Sequence, residues 1–119
     1  MLFRSDELPL GPETMTMSEV LIVMTRRSYG CFGVVDPDGQ LMGIVTDGDL
    51  RRNMAPDLLN RTAGAVMTRA PKSISPDALA LEALEQLNAL KITSLFVIDA
   101  GNRPVGLVHI HDLLRVGVA

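Results

Sequence analysis

Two short segments of this chain carry residue types spaced for chemistry: Gly43-Ile44-Val45-Thr46-Asp47-Gly48-Asp49-Leu50 and Gly106-Leu107-Val108-His109-Ile110-His111-Asp112-Leu113. In each, an aliphatic run ends in a polar residue, and a carboxylate follows three positions later at the start of what reads as a helix. A strand running into a helix exposes free backbone N–H groups beside the positive end of the helix dipole. The Thr46 hydroxyl adds a donor for a phosphate. Asp49, and Asp112 in the second copy, can accept from the two vicinal hydroxyls of a sugar. The combination suits a ribose next to a phosphate. The same Asp residues are equally suited to cap their own helices and complement the dipole. Repetition does not separate the two readings, because a duplicated fold repeats its caps.

The remaining reactive residues form no second constellation. His109 and His111 make a His-x-His. If His109 ends a strand and His111 begins a helix, their rings need not converge, and only Asp112 stands near as a third ligand, so no metal site is assigned. The two histidines serve either ligand contact or hydrogen bonding at the helix terminus. Cys31 is the lone cysteine and sits in the apolar run Cys31-Phe32-Gly33-Val34-Val35, the setting of a buried thiol. No Ser/His/Asp or Cys/His arrangement is visible, and no catalytic residue is assigned. The pairs Arg26-Arg27 and Arg51-Arg52 read as solvated helix faces, although Arg51 or Arg52 can reach an anion held at the first segment.

The elements that position these residues are themselves duplicated. Val34 to Arg52 matches Val97 to Arg115 without a gap, at an offset of 63 positions, with seven of nineteen residues identical. Glu19/Glu82 and Leu21/Leu84 keep the same offset. Each unit reads as a helix, a strand pair and a closing helix. The first helix runs from Thr16 or Ser18, as cap, to about Arg27, with Val20, Leu21, Val23 and Met24 on its apolar face. The second opens at Pro76-Asp77, with Leu79, Ala83, Leu84, Leu87 and Leu90 as its stripe. Strands are expected at Phe32–Asp36 and Leu41–Thr46 around the turn Pro37-Asp38-Gly39, and at Ser94–Asp99 and Val105–His109 around Ala100 to Arg103. Their nearly unbroken apolar character predicts cover on both faces. Closing helices are expected from Asp47 and from Ile110. The connector Ala55–Ser75 reads as a helical turn and a brief strand, Lys72–Ser75, and Glu7–Thr14 plays the same lead-in part for the first unit. We divide the chain at 1–58 and 59–119.

Composition sets the outer bounds. The chain has 119 residues, 47% hydrophobic and 3% aromatic, so a single domain's core must be built from aliphatic residues and Met. A net charge of −3 lacks the concentrated basic excess of a nucleic-acid binder. Apolar runs of about five residues fall far short of the roughly 18 that span a bilayer. Arg4, Asp6 and Glu7 interrupt any leader-like core, which points to a cytoplasmic protein.

The duplication and the Gly-x-x-Thr-x-x-Asp-Leu ending resemble the CBS domain pair, or Bateman module, from about Leu8 to Val116. The resemblance implies an α+β fold, two βαββα repeats related by a pseudo-twofold axis, with clefts that take adenosyl or other nucleotide ligands. By position, Thr46 would lie near the phosphate and Asp49 and Asp112 on ribose hydroxyls; His109 departs from the usual Thr or Ser. The candidate ligand-binding set is Gly30, Cys31, Thr46, Asp49, Ser73, Thr93, Ser94, His109, His111 and Asp112. More narrowly, Asp6-Glu7-Leu8-Pro9, Thr46 to Arg52, Val66 to Lys72 and His109 to Arg115 resemble the C-terminal part of bacterial arabinose-5-phosphate isomerases, which supply the pathway to Kdo, a sugar of lipopolysaccharide. That resemblance implies a regulatory module without its own catalysis and an N-terminal sugar-isomerase domain that this sequence lacks. It implies a homodimer through the CBS helices, with CMP-Kdo, CMP, AMP, ATP or S-adenosylmethionine as candidate ligands and no required cofactor. The alternative is a ligand-free dimerisation module.

Overall fold

A computed structural model describes residues 8–27, 30–69, 71–78 and 80–110. Two compact units emerge, one spanning Pro9–Pro71 and the other containing Leu8 and the described residues from Lys72 onward. The sequence repeat and the packing unit therefore do not share a boundary, because residues 59–71 fold with the first unit.

In the first unit, β1 (Leu10–Pro12) pairs in parallel with β2 (Cys31–Val35), β2 pairs antiparallel with β3 (Leu41–Thr46), and β4 (Thr68–Arg69) closes the edge beside β3. The crossover from β1 to β2 is helix α1 (Met17–Arg27), as parallel neighbours require. After β3 come α2 (Asp47–Arg52), a single 3-10 turn (Leu58–Asn60) and α3 (Ala63–Val66). The second unit repeats the plan: β5 (Ser73–Ile74), α4 (Ala80–Leu90), β6 (Ser94–Ile98) and β7 (Pro104–His109), in sheet order β5-β6-β7. Ile110 enters a helix directly after β7.

The 63-residue offset governs the backbone far beyond the nineteen matched residues. Leu10 opposes Gly33 as Ser73 opposes Phe96, and Cys31 opposes Thr46 as Ser94 opposes His109. A bulge falls at Val34/Val35 and again at Val97/Ile98. α4 begins at Ala80, the counterpart of Met17, and not at Pro76-Asp77, where Ser75 instead turns the chain by accepting from the Asp77 N–H.

Each hairpin is set by an aspartate. Asp36 Oδ1 accepts from the Asp38 and Gln40 N–H groups, and Asp99 Oδ1 accepts from Gly101 and Arg103, at 2.9 to 3.0 Å. The left-handed residue is Gly39 (φ 83°) in one turn and Asn102 (φ 61°) in the other, the two residue types that tolerate it best.

The first core gathers Met17, Val20 and Met24 of α1 with Phe32, Val34, Val45, Leu58, Ala63, Val66 and Met67. The second gathers Ala83, Leu84 and Leu87 of α4 with Leu95, Val97 and Val108. β2 and β6 are buried along most of their length, whereas β3 alternates buried and half-buried positions, so its second face is only partly covered. Leu90 leaves the predicted stripe and is exposed. It is the last residue of α4, where Lys91 turns left-handed (φ 57°) and the Ile92 N–H closes on the Leu87 carbonyl, so Ile92 and not Leu90 packs on the core. Leu79 lies outside the described residues.

Candidate functional site

The first strand-to-helix corner is built by four residues. Thr46 ends β3 in extended conformation (φ −124°, ψ 174°) and caps α2. Its N–H and hydroxyl both donate to Asp49 Oδ2, at 2.9 and 3.1 Å, while the Asp49 N–H faces Thr46 Oγ1 at 3.4 Å. This is a capping box closed by Asp where Glu or Gln is usual. Asp49 Oδ1 receives two further donors, Arg52 Nη2 and the hydroxyl of Thr68 on β4. Asp49 is only 2% exposed. A carboxylate offers about four lone-pair sites, so protein donors occupy its whole accepting capacity. Burial of the charge is tolerable on those terms.

The glycine of the motif has a tertiary cause. A Cβ at Gly43 would stand 2.6 Å from Met67 Sδ and 2.8 Å from the Thr68 carbonyl. Only glycine lets the connector cross β3 closely enough for β4 to pair with it and for Thr68 to reach Asp49. From there a polar chain continues: Asn53 Nδ2 donates to the Asp49 carbonyl (2.7 Å), and Arg61 Nη1 donates to Asn53 Oδ1 (3.1 Å). Thr62 in turn caps α3 through the Ala65 N–H.

The structure brings part of the candidate set together within each unit. Gly30 (φ 72°) precedes β2, and Cys31, the first residue of that strand, is register partner to Thr46; Asp49 follows one turn later. Cys31 is buried, in line with a packed thiol. In the second unit Ser94 opposes His109, and the Ile110 N–H donates to the Thr93 carbonyl at 2.8 Å, so Thr93, Ser94 and His109 occupy the equivalent corner. Ser73 stands apart on β5 opposite Phe96, and its carbonyl accepts from Gln86 Nε2 at 3.4 Å. It lines an open hollow of about 470 Å³ with Ser75, Asp77 and Asp99 at the far end of the β6–β7 pair. His111 and Asp112 lie outside the described residues. Sequence reasoning missed Thr68 and Asn53 altogether. It placed Arg52 near the corner without seeing that the i, i+3 spacing to Asp49 makes the two neighbours on one helix face.

Among the described residues no group of three or more His, Cys, Asp or Glu side chains could hold a metal ion, and no helix is long and apolar enough to cross a membrane. Helix α2 has only six residues, so its dipole contributes little at this corner beside the side chains.

Two copies of a strand–helix–strand–strand unit, each ending in a strand-to-helix corner, define a tandem-repeat module of mixed α/β class. The CBS domain model matches residues 6–56 and 63–119, and the chain belongs to the CBS domain family as a tandem pair. Arabinose 5-phosphate isomerase KdsD of Pseudomonas aeruginosa is 44% identical over 105 residues, covering 87% of this chain and 32% of that protein. The chain spans about a third of the length of the curated relatives it matches. Among solved structures, the cytosolic domain of the Mg2+ channel MgtE in complex with ATP superposes with a TM-score of 0.80 at 26% identity, covering 97% of this chain and 46% of that one. CBSX2 in complex with AMP gives 0.83 at 20% identity, covering 98% and 93%.

Proposed function

We propose that this chain is the regulatory nucleotide- or nucleotide-sugar-binding CBS pair of an arabinose 5-phosphate isomerase, acting on an attached N-terminal sugar-isomerase domain and doing no chemistry itself. The likeness to KdsD supports the assignment to that enzyme, and the length of those relatives leaves room for the second domain. The ligand reading is carried by the corner at the end of β3, where the Thr46 hydroxyl and the Asp49 carboxylate, groups suited to a phosphate and to a diol once their mutual contacts are exchanged, meet. Thr46 would face the phosphate and Asp49 the ribose, with Gly30 and Cys31 alongside. Thr93, Ser94, His109, His111 and Asp112 would form the second site, and Ser73 is assigned a peripheral contact. The neighbours that hold ATP and AMP favour nucleotides in general. CMP-Kdo is the sharper candidate, because feedback calls for an end product unlike the substrate. The proposed setting is the cytoplasm, with a homodimer through the CBS helices and neither nucleic acid nor membrane as partner.

A thermal-shift panel of CMP-Kdo, CMP, AMP, ATP and S-adenosylmethionine tests this. A ligand at about one hundred times its Kd stabilises the folded state by about 2.7 kcal/mol, a rise of several degrees in Tm. Silence from every compound removes the ligand reading.

One observation favours the ligand-free dimerisation reading: Asp49 is already fully bonded inside its own unit. Asp49→Ala combined with Asp112→Ala separates the two. Regulation predicts loss of the nucleotide response with oligomeric mass unchanged. A purely structural role has no response to lose.

A further inference from the structure

The saturation of Asp49 bears on how any ligand could enter. A ribose hydroxyl that donates to this carboxylate must displace one of its four donors, since no acceptor site is vacant. Thr46 contributes two of the four, and they form the cap of α2. Thr68 is held in place by the backbone pairing of Ile44 with β4. Arg52 differs from both. Its side chain is 65% exposed while that of Asp49 is 3% exposed, and it reaches the carboxylate along a flexible stem. Arg52 is therefore the one donor of the four that can swing into solvent without opening the cap or the β3–β4 pairing.

The direction of the guanidinium gives the displacement a consequence. Nη2 rests on Asp49, and a Cβ built at Gly48 would lie 3.3 Å from Nη1 and 3.6 Å from Thr46 Oγ1. Arg52 thus folds back along α2 toward the Thr46 hydroxyl, across ground that Gly48 leaves open. We propose that Arg52 is a displaceable cover on Asp49 that makes this corner select a ribose carrying an anionic group over the neutral nucleoside. The proposal deepens the nucleotide reading and rests on it. An arriving nucleotide exchanges partners in one move: its hydroxyl takes the place of Arg52 on Oδ1, and its phosphate receives the released guanidinium, a charge-assisted pair for the one given up. A nucleoside displaces Arg52 and returns it to water with nothing in exchange.

Titration calorimetry of AMP against adenosine, and of CMP against cytidine, provides the test with wild type, Arg52→Met and Arg52→Lys. Wild type is expected to bind a nucleotide at least about tenfold more tightly than its nucleoside. Arg52→Met removes the charge and keeps the apolar stem. It should weaken the nucleotide about tenfold and leave the nucleoside unchanged or tighter, bringing the ratio toward one. Arg52→Lys should fall between, since it keeps the charge without the fork. Equal weakening of both ligands in Arg52→Met, or an unchanged ratio, overturns the inference while leaving nucleotide binding standing. Failure of wild type to bind any of the four overturns the inference, and silence from CMP-Kdo, ATP and S-adenosylmethionine as well overturns the functional reading. Thermal midpoints of the three proteins without ligand show whether folding has been altered.

Discussion

The two corners of this molecule share a backbone and differ in chemistry. Cys31 faces Thr46 across one strand pair and Ser94 faces His109 across the other, in identical register. Yet the first corner is tied by side chains, with Thr46, Arg52 and Thr68 converging on Asp49. At the second, His109 stands for Thr46, Ile110 for Asp47 and His111 for Gly48, and the tie described there runs between main-chain groups, Ile110 to Thr93. Duplication has therefore kept what the sheet needs, the register and the bulge, and in sequence the pairs Asp49/Asp112 and Arg52/Arg115, while Thr46, Asp47 and Gly48 have been replaced. Register follows from burying one apolar face, which tolerates any residue at the strand's end. A recognition site depends on those end residues individually.

The largest expected effect comes from removing the hub described at the first corner. Asp49→Ala leaves the Thr46 N–H and the Thr68 and Arg52 donors without their acceptor and opens the capping box, at a cost of about 2–3 kcal/mol in urea unfolding. Loss below about 1 kcal/mol would mean that the network is decorative. Next comes the close approach that brings Thr68 in. Gly43→Ala forces a methyl group against Met67 and the Thr68 carbonyl, and backbone cannot yield as a side-chain tip can. Destabilisation by about 1–3 kcal/mol is expected, with faster amide exchange at Thr68 and Arg69. The smallest effect sharpens the comparison at the hairpins. Gly39→Ala should cost about 1 kcal/mol, and Asn102→Gly should gain a few tenths, because the same left-handed position is already filled by glycine in one repeat only. Equal responses at the two turns would show that they are not energetically equivalent copies.

Much of the fold was readable without coordinates. The offset of 63 predicted the hairpins, and applied further it would have made β5 the counterpart of β1 and started α4 at Ala80; reading Pro76-Asp77 as a helix opening gave local propensity more weight than the repeat. The candidate site was legible only in part. Thr46, Asp49 and Arg52 lie within one helical turn, so spacing alone makes them neighbours. Thr68 comes nineteen residues after Asp49 and reaches it through a connector crossing β3, a contact that no local pattern encodes.

On its own, the sequence determined the duplication, the two hairpins and the corner with its carboxylate, because periodicity and turn chemistry act over a few residues. Tertiary structure alone decided that Asp49 is buried and fully bonded and that Gly43 must be glycine. These outcomes depend on which distant segment arrives beside the corner, and long-range packing sets that.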